Sequence, residues 1–141
     1  MQMTATTKPL HWSREMSVGI EVVDNEHREL AQAINELHAA IADIDKQSLT
    51  SPLLLKVAEL TRAHFASEEM MMAANNYLGA ALHAFKHLYL MQQLDALVAR
   101  VNRGGFKLNE HSLKFLHDWF STHIQKEDAQ FAVWLNDVGK R

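Results

Sequence analysis

Six side chains able to bind a metal ion, His27, His64, Glu68, His83, His87 and His123, stand where a helical bundle would otherwise carry leucine. Each continues an apolar repeat with steps of three and four residues. His27 sits among Val23, Leu30, Ile34, Leu37, Ile41 and Ile44; His64 and Glu68 follow Leu54, Val57 and Thr61 and precede Met71. His83 and His87 lead into Leu90, Leu94, Leu97 and Val101, and His123 follows Leu113, Leu116 and Phe120. Such spacing marks the inward face of a helix, so all six side chains point at the bundle axis. A lone histidine on such a face is ordinarily a satisfied core residue. Six ligand-type groups are another matter if they share one level.

Counting from the turns puts them there. With turns centred near residues 48, 76 and 106, His27 and Glu68 lie about 21 and 20 residues either side of the first. Glu68 and His83 lie about eight and seven either side of the second, and His87 and His123 about 19 and 17 either side of the third. At a rise of ~1.5 Å per residue the mismatches come to only 2–3 Å. An unsatisfied buried polar group costs roughly 1–3 kcal/mol, and an unpaired carboxylate more. Six of them would consume most of a typical folding stability of ~5–15 kcal/mol. A layer of cations gives every lone pair a partner, so metal binding is the preferred reading. Imidazole and carboxylate without thiolate suit iron, zinc or manganese, and more than four ligands argues against a single tetrahedral zinc. The pairs His64/Glu68 and His83/His87 are each four apart, on one helix face, and can grip the same small cluster.

The elements that must position these residues are all helical. Only Pro9 and Pro52 interrupt the chain, and strand-like alternation is absent. Four helices are expected, roughly 20–45, 52–74, 80–103 and 110–128, with a shorter helical tail to about 138. Ser51-Pro52 reads as an N-cap followed by proline at the first helical position, and Asn109 as the cap of the fourth helix. Asn75-Asn76 and Gly79 mark a turn, and Gly104-Gly105 a C-terminal stop. Short connections make neighbours antiparallel. The expected fold is therefore all-α, an antiparallel up-down-up-down four-helix bundle over residues 20–141 with an N-terminal arm, residues 1–19, and a short C-terminal helical tail. Trp12 is available to pack the arm on the bundle.

Composition narrows the function classes. The 141 residues suffice for one domain with its own core, and 48% apolar with 22% charged residues is ordinary for a soluble protein. A net charge of −3 offers no basic footprint for nucleic acid. The absence of cysteine removes disulfides, thiolate zinc sites, iron–sulfur clusters and thiol nucleophiles together. No signal-peptide core or long apolar run is present, so a cytoplasmic protein without a membrane partner is expected.

Four motifs carry a family resemblance: D-N-E-H at 24–27, H-F-x-x-E-E at 64–69, H-x-x-x-H at 83–87 and W-F-x-x-H-I-x-x-x-D at 119–128. In type and order they resemble the hemerythrin family, over nearly the whole chain. The resemblance implies two iron ions joined by an oxo or hydroxo bridge. His83, His87 and His123 would serve the coordinatively saturated iron, His27 and His64 the other, and Glu68 and Asp128 would bridge the two. One position on the second iron would stay open, and there the family binds dioxygen. Leu30, Phe65, Trp119, Phe120 and Ile124 would form the apolar wall around it. Glu69 and Asp24 are candidates to contact the ligands from outside, and a solvated face is the alternative for each. His38 and His117 fall one residue off their seams, at the helix flanks; His11 and His111 are expected in solvent.

Reversible dioxygen binding, for storage, delivery or sensing, is thus the expected function, and not an enzymatic one. Two alternatives stand beside it: a di-iron oxidase or peroxidase, and a dioxygen or redox sensor acting through a separate protein partner. Ferritin-like oxidases use Glu-x-x-His motifs on two helices, which are missing at the ligand positions here. The spacing makes one more structural demand. Five residues of α-helix turn through about 500°, leaving His123 and Asp128 roughly 140° apart. A one-residue irregularity, such as a π-bulge, is therefore expected between them.

Overall fold

The computed structural model describes residues 8–139, apart from the side chains of residues 124, 125 and 139. Four long helical runs account for most of them: α1 (Glu21–Ala42), α2 (Thr50–Ala74), α3 (Ala80–Arg103) and a fourth that begins as α4 (Glu110–Thr122). The last run passes through a π-helical segment, His123–Asp128, into α5 (Ala129–Gly139). Helix α1 packs against α2 and α4, and α2 against α3. The result is the expected four-helix bundle. Its interior is filled by Leu30, Ile34, Leu37, Leu54, Val57, Leu94, Leu113 and Leu116, each at most 3% exposed.

Local chemistry explains most of the helix ends. Asn109 caps α4 in a reciprocal box: its Oδ1 accepts from the Ser112 N–H at 3.1 Å, and its own N–H donates to Ser112 Oγ at 3.4 Å. Gly104 ends α3 at φ 82°, a conformation that costs glycine nothing. Two expectations are corrected. α1 stops at Ala42, before residue 45, because Asp43 is extended and its carboxylate accepts from the Asp45 N–H at 2.9 Å, starting the 3-10 turn Ile44–Leu49. Gln47 then donates to the carbonyls of Ala40, Ile41 and Asp43, supplying partners the helix end lacks. Ile44 leaves the seam and is 85% exposed. Ser51, expected as the cap of α2, instead lies inside it. The chain is already winding through Leu49, so no extended cap residue exists, and Ser51 Oγ donates to Asn102 Oδ1 at 3.0 Å. Pro52 still falls in the first turn, where its missing N–H leaves no helical bond unmade.

The arm is clamped to α1 at two points. The Leu10 N–H and carbonyl both pair with the Asn35 amide at 2.7 Å. Farther along, Asp24 accepts from Ser17 Oγ at 2.6 Å and from the Val18 N–H at 2.8 Å. Between them Arg28 lies over the Trp12 ring, 5.1 Å from its centroid.

The expected C-terminal helical tail is present: the fourth run passes residue 128 and continues as α5, held by an apolar anchor. Tyr77, in the α2–α3 turn, lies 5.0 Å from both the Phe131 and Trp134 rings, and Phe131 is fully buried. Among the described residues, no helix is long and apolar enough to cross a membrane.

If the seam is the core, Leu37→Ala should cost about 2–5 kcal/mol in denaturant unfolding. Leu78→Ala, at a side chain 95% exposed, should stay within about 0.5 kcal/mol of the parent. Equal costs for the two would show that the seam does not carry the packing.

Candidate metal centre

All four helical runs send polar side chains to one level of this apolar interior. His27 comes from α1, His64 and Glu68 from α2, His83 and His87 from α3, and His123 and Asp128 from the π-helical segment. None of the seven is more than 4% exposed. The π-helical segment lies where the five-residue spacing demands it: widening the turn by one residue carries Asp128 round to the side of His123. The Asp128 carboxylate then lies 2.9 Å from His123 Nε2.

The two carboxylates divide the layer into halves. Asp128 turns Oδ2 toward His27 Nε2 (2.7 Å) and His64 Nε2 (3.1 Å), and Oδ1 toward His83 Nε2 (3.1 Å) and His123 Nε2. Glu68 turns Oε2 toward His64 Nε2 (3.7 Å), and Oε1 toward His83 Nε2 (2.6 Å) and His87 Nε2 (3.1 Å). Two groups of five ligand atoms result, each lying within 4.8 Å of one another: His27, His64, Glu68, His123 and Asp128, and Glu68, His83, His87, His123 and Asp128. Glu68, Asp128 and His123 belong to both. One oxygen of each carboxylate therefore faces each half, the geometry that lets a carboxylate bridge two cations.

The donor set fits metal better than it fits itself. Both Glu68 oxygens, His87 Nε2 and His123 Nε2 are buried without a properly directed hydrogen bond, although opposite partners crowd around them. Nitrogen and oxygen lone pairs converging on a dry point are satisfied by cations.

Outward-facing contacts hold the rings in place. His64 Nδ1 pairs with Glu26 Oε1 and His87 Nδ1 with Glu69 Oε2, each at 2.8 Å, which fixes the ring that presents Nε2 to the layer. Glu69 thus takes the role the sequence offers it. Asp24 does not: its hydrogen bonds go to the arm, and it reaches His27 only through its charge. Glu26 was missed, although its place beside His27 on the flank facing α2 was a usable sign. Phe65 stacks on His87 at 3.8 Å, and Trp119 lies parallel to His123 at 6.0 Å. Phe120 stands edge-on to His27 at 6.3 Å, and Leu30 is 1% exposed. The Ile124 side chain lies outside the described residues. His11 and His111 are exposed, as expected, whereas His117 is buried and faces His38 across the α1–α4 boundary.

Burial and pairing pull the protons in different directions. Burial disfavours the charge on His64, but hydrogen bonds to Asp128 and Glu26 prevail and raise its pKa to about 10. His83 likewise rises to about 9 against burial, through Asp128 and Glu68. Burial wins at His87, which falls to about 4, and also lowers His27 and His123. Burial raises Glu68 despite the His83 and His87 rings close beside it. Asp128, resisting burial, is held well below the usual carboxylate range by His123, His27 and His64.

The family pattern of the hemerythrin HHE cation binding domain matches residues 18–135. The chain is 26% identical over 123 residues to a bacteriohemerythrin of Stenotrophomonas maltophilia, covering 87% of this chain and 79% of that one. It is 26% identical to a myohemerythrin of Sipunculus nudus, covering 87% and 91%. A crystal structure of wild-type hemerythrin superposes with a TM-score of 0.83 at 25% identity, covering 87% of this chain and 95% of that one. The chain belongs to the hemerythrin family, whose members are oxygen-binding proteins.

Metal loading must expel the protons that His64 and His83 hold near neutrality. Anaerobic titration with ferrous iron at pH 7, followed by calorimetry in buffers of different ionisation enthalpy, should show at least two protons released per chain. Both folded values lie above 7, so affinity should rise with pH, by up to ~100-fold per unit, until these groups titrate. An affinity independent of pH between 6 and 8 would contradict this account.

Proposed function

We propose that this member of the hemerythrin family binds dioxygen reversibly at a carboxylate-bridged pair of iron ions, as a store, carrier or sensor. The observation that carries the reading is a layer of five imidazoles, a number two ions cannot divide evenly, around two carboxylates that each turn one oxygen to either half. His83, His87 and His123 would hold one iron and His27 and His64 the other, with Glu68 and Asp128 shared between them. Geometry alone admits His123 to either half, and the family resemblance assigns it to the first. Two imidazoles against three leave one half short of a ligand, and a centre with an open position is built for an exchangeable guest. A reduced iron pair supplies electrons and a vacant coordination position to dioxygen.

The chain's own residues supply the rest. Glu26 and Glu69 lock the tautomers of His64 and His87 from outside. Leu30 and Phe120, both 1% exposed, bound the His27 side and exclude water from it. Phe65 and Trp119 cover His87 and His123 and hold their rings in register. Only two of the seven donors are carboxylates, a nitrogen-rich set that favours binding over oxidative turnover.

Purified protein should contain two irons per chain by elemental analysis. One metal per chain, or zinc as the native occupant, would defeat the di-iron assignment. The visible spectrum of the anaerobically reduced protein should gain an oxygen-dependent charge-transfer band on exposure to air and lose it on removal of oxygen. Irreversible bleaching with substrate turnover would favour an oxidase. Truncating the ring beside His27, by Phe120→Leu or Phe120→Ala, should leave the iron content intact and change autoxidation severalfold, most in the alanine variant. Unchanged rates in both would reduce Phe120 to core packing.

A further inference from the structure

Two histidines outside the layer come close to its geometry. His38 on α1 and His117 on α4 face each other with ring centroids 5.8 Å apart and planes inclined at 67°. The layer provides a ruler. The rings of His83, His87 and His123, read above as sharing one ion, are 4.5, 5.0 and 5.5 Å apart, with planes inclined at 84°, 54° and 71°. The His38–His117 pair falls just beyond that range. His38 Nδ1 and His117 Nε2 are also buried with no hydrogen-bond partner, the condition found at His87 Nε2 and His123 Nε2. The pair is separate from the layer: His38 lies roughly 16 Å beyond His27 along α1, and His117 roughly 9 Å before His123 along α4.

We propose that His38 and His117 form a second, two-imidazole site for one divalent transition-metal ion, which joins α1 to α4 and completes its coordination with water. Imidazole nitrogens suit zinc, nickel, copper and iron, whereas a site without a carboxylate or carbonyl ligand from the protein has little hold on calcium or magnesium. Burial and the neighbouring His38 lower the His117 pKa, so its ring is neutral and its lone pair available near pH 7. The charges of Asp118 and Glu110 act on the same ring and favour a cation there.

The test uses the iron-loaded full chain, with zinc as a redox-inert probe. Equilibrium dialysis against micromolar zinc, with both metals quantified, should show one zinc per chain above the iron, and the iron content should not fall. His38→Gln and His117→Gln should each weaken zinc uptake at least tenfold with the iron unchanged, whereas His11→Gln and His111→Gln should leave it intact. His38 has the more exposed ring, so His38→Gln carries the test if His117→Gln fails to fold. Absence of zinc uptake, zinc gained only in exchange for iron, or uptake that survives His38→Gln would overturn the proposal. The iron count is read separately, so failure here leaves the reading of the seven-ligand layer untouched, and failure of that reading leaves this site standing.

Discussion

Seven polar side chains meet in a plane from which water is excluded, and their mutual compensation is the constraint behind most of this architecture. Asp128 alone lies within 3.1 Å of four imidazole nitrogens, and Glu68 within 3.1 Å of two more contacts. Groups so placed must be aimed to within fractions of an ångström, since an uncompensated buried charge costs far more than any single apolar contact returns. The rigid leucine seams, the capped start of α4 and the clamped arm all serve that aim. So do Glu26 and Glu69, which act on the layer from its rim.

Much of this was legible because helical period and ligand chemistry are local properties of a sequence. Six of the seven donors could be placed on seams and at one height by counting alone. The readings that failed depended on contacts between distant segments. Ser51 has every local mark of a cap, yet the preceding 3-10 turn leaves no extended residue at that point and Asn102 takes its hydroxyl. Asp24 stands one turn before a ligand, but the returning arm claims its carboxylate. Glu26 received no role from the sequence: its place beside His27 gives the flank, but the ring it meets is brought by α2 from 38 positions away.

The fourth helical run shows both outcomes in one stretch. Its irregularity could be inferred from the step of five between His123 and Asp128, since no regular α-helix puts both on one face. Its helical continuation to about residue 138 was expected too, but not what anchors it. That anchor is Tyr77, some fifty residues earlier in the chain, receiving Phe131 and Trp134. Anchors on either side hold the widened turn at the level of the layer: the capped seam of α4 before it and the aromatic cluster after it.

His27 and Asp128 meet at 2.7 Å although 101 positions separate them in the chain. A layer filled with metal would therefore act as a cross-link closing most of the polypeptide into loops, and would tie all four helical runs at once. For a single covalent cross-link, a loop of about 100 residues is worth up to ~4.7 kcal/mol of denatured-state entropy in the simplest chain model. Here that constraint falls to a chain with no cysteine, and thiol reductants find nothing to cleave. Such a cross-link would open instead to acid, which protonates its imidazoles, or to a competing ligand, which would draw off its ions. Durability of the fold and loading of the site become one variable.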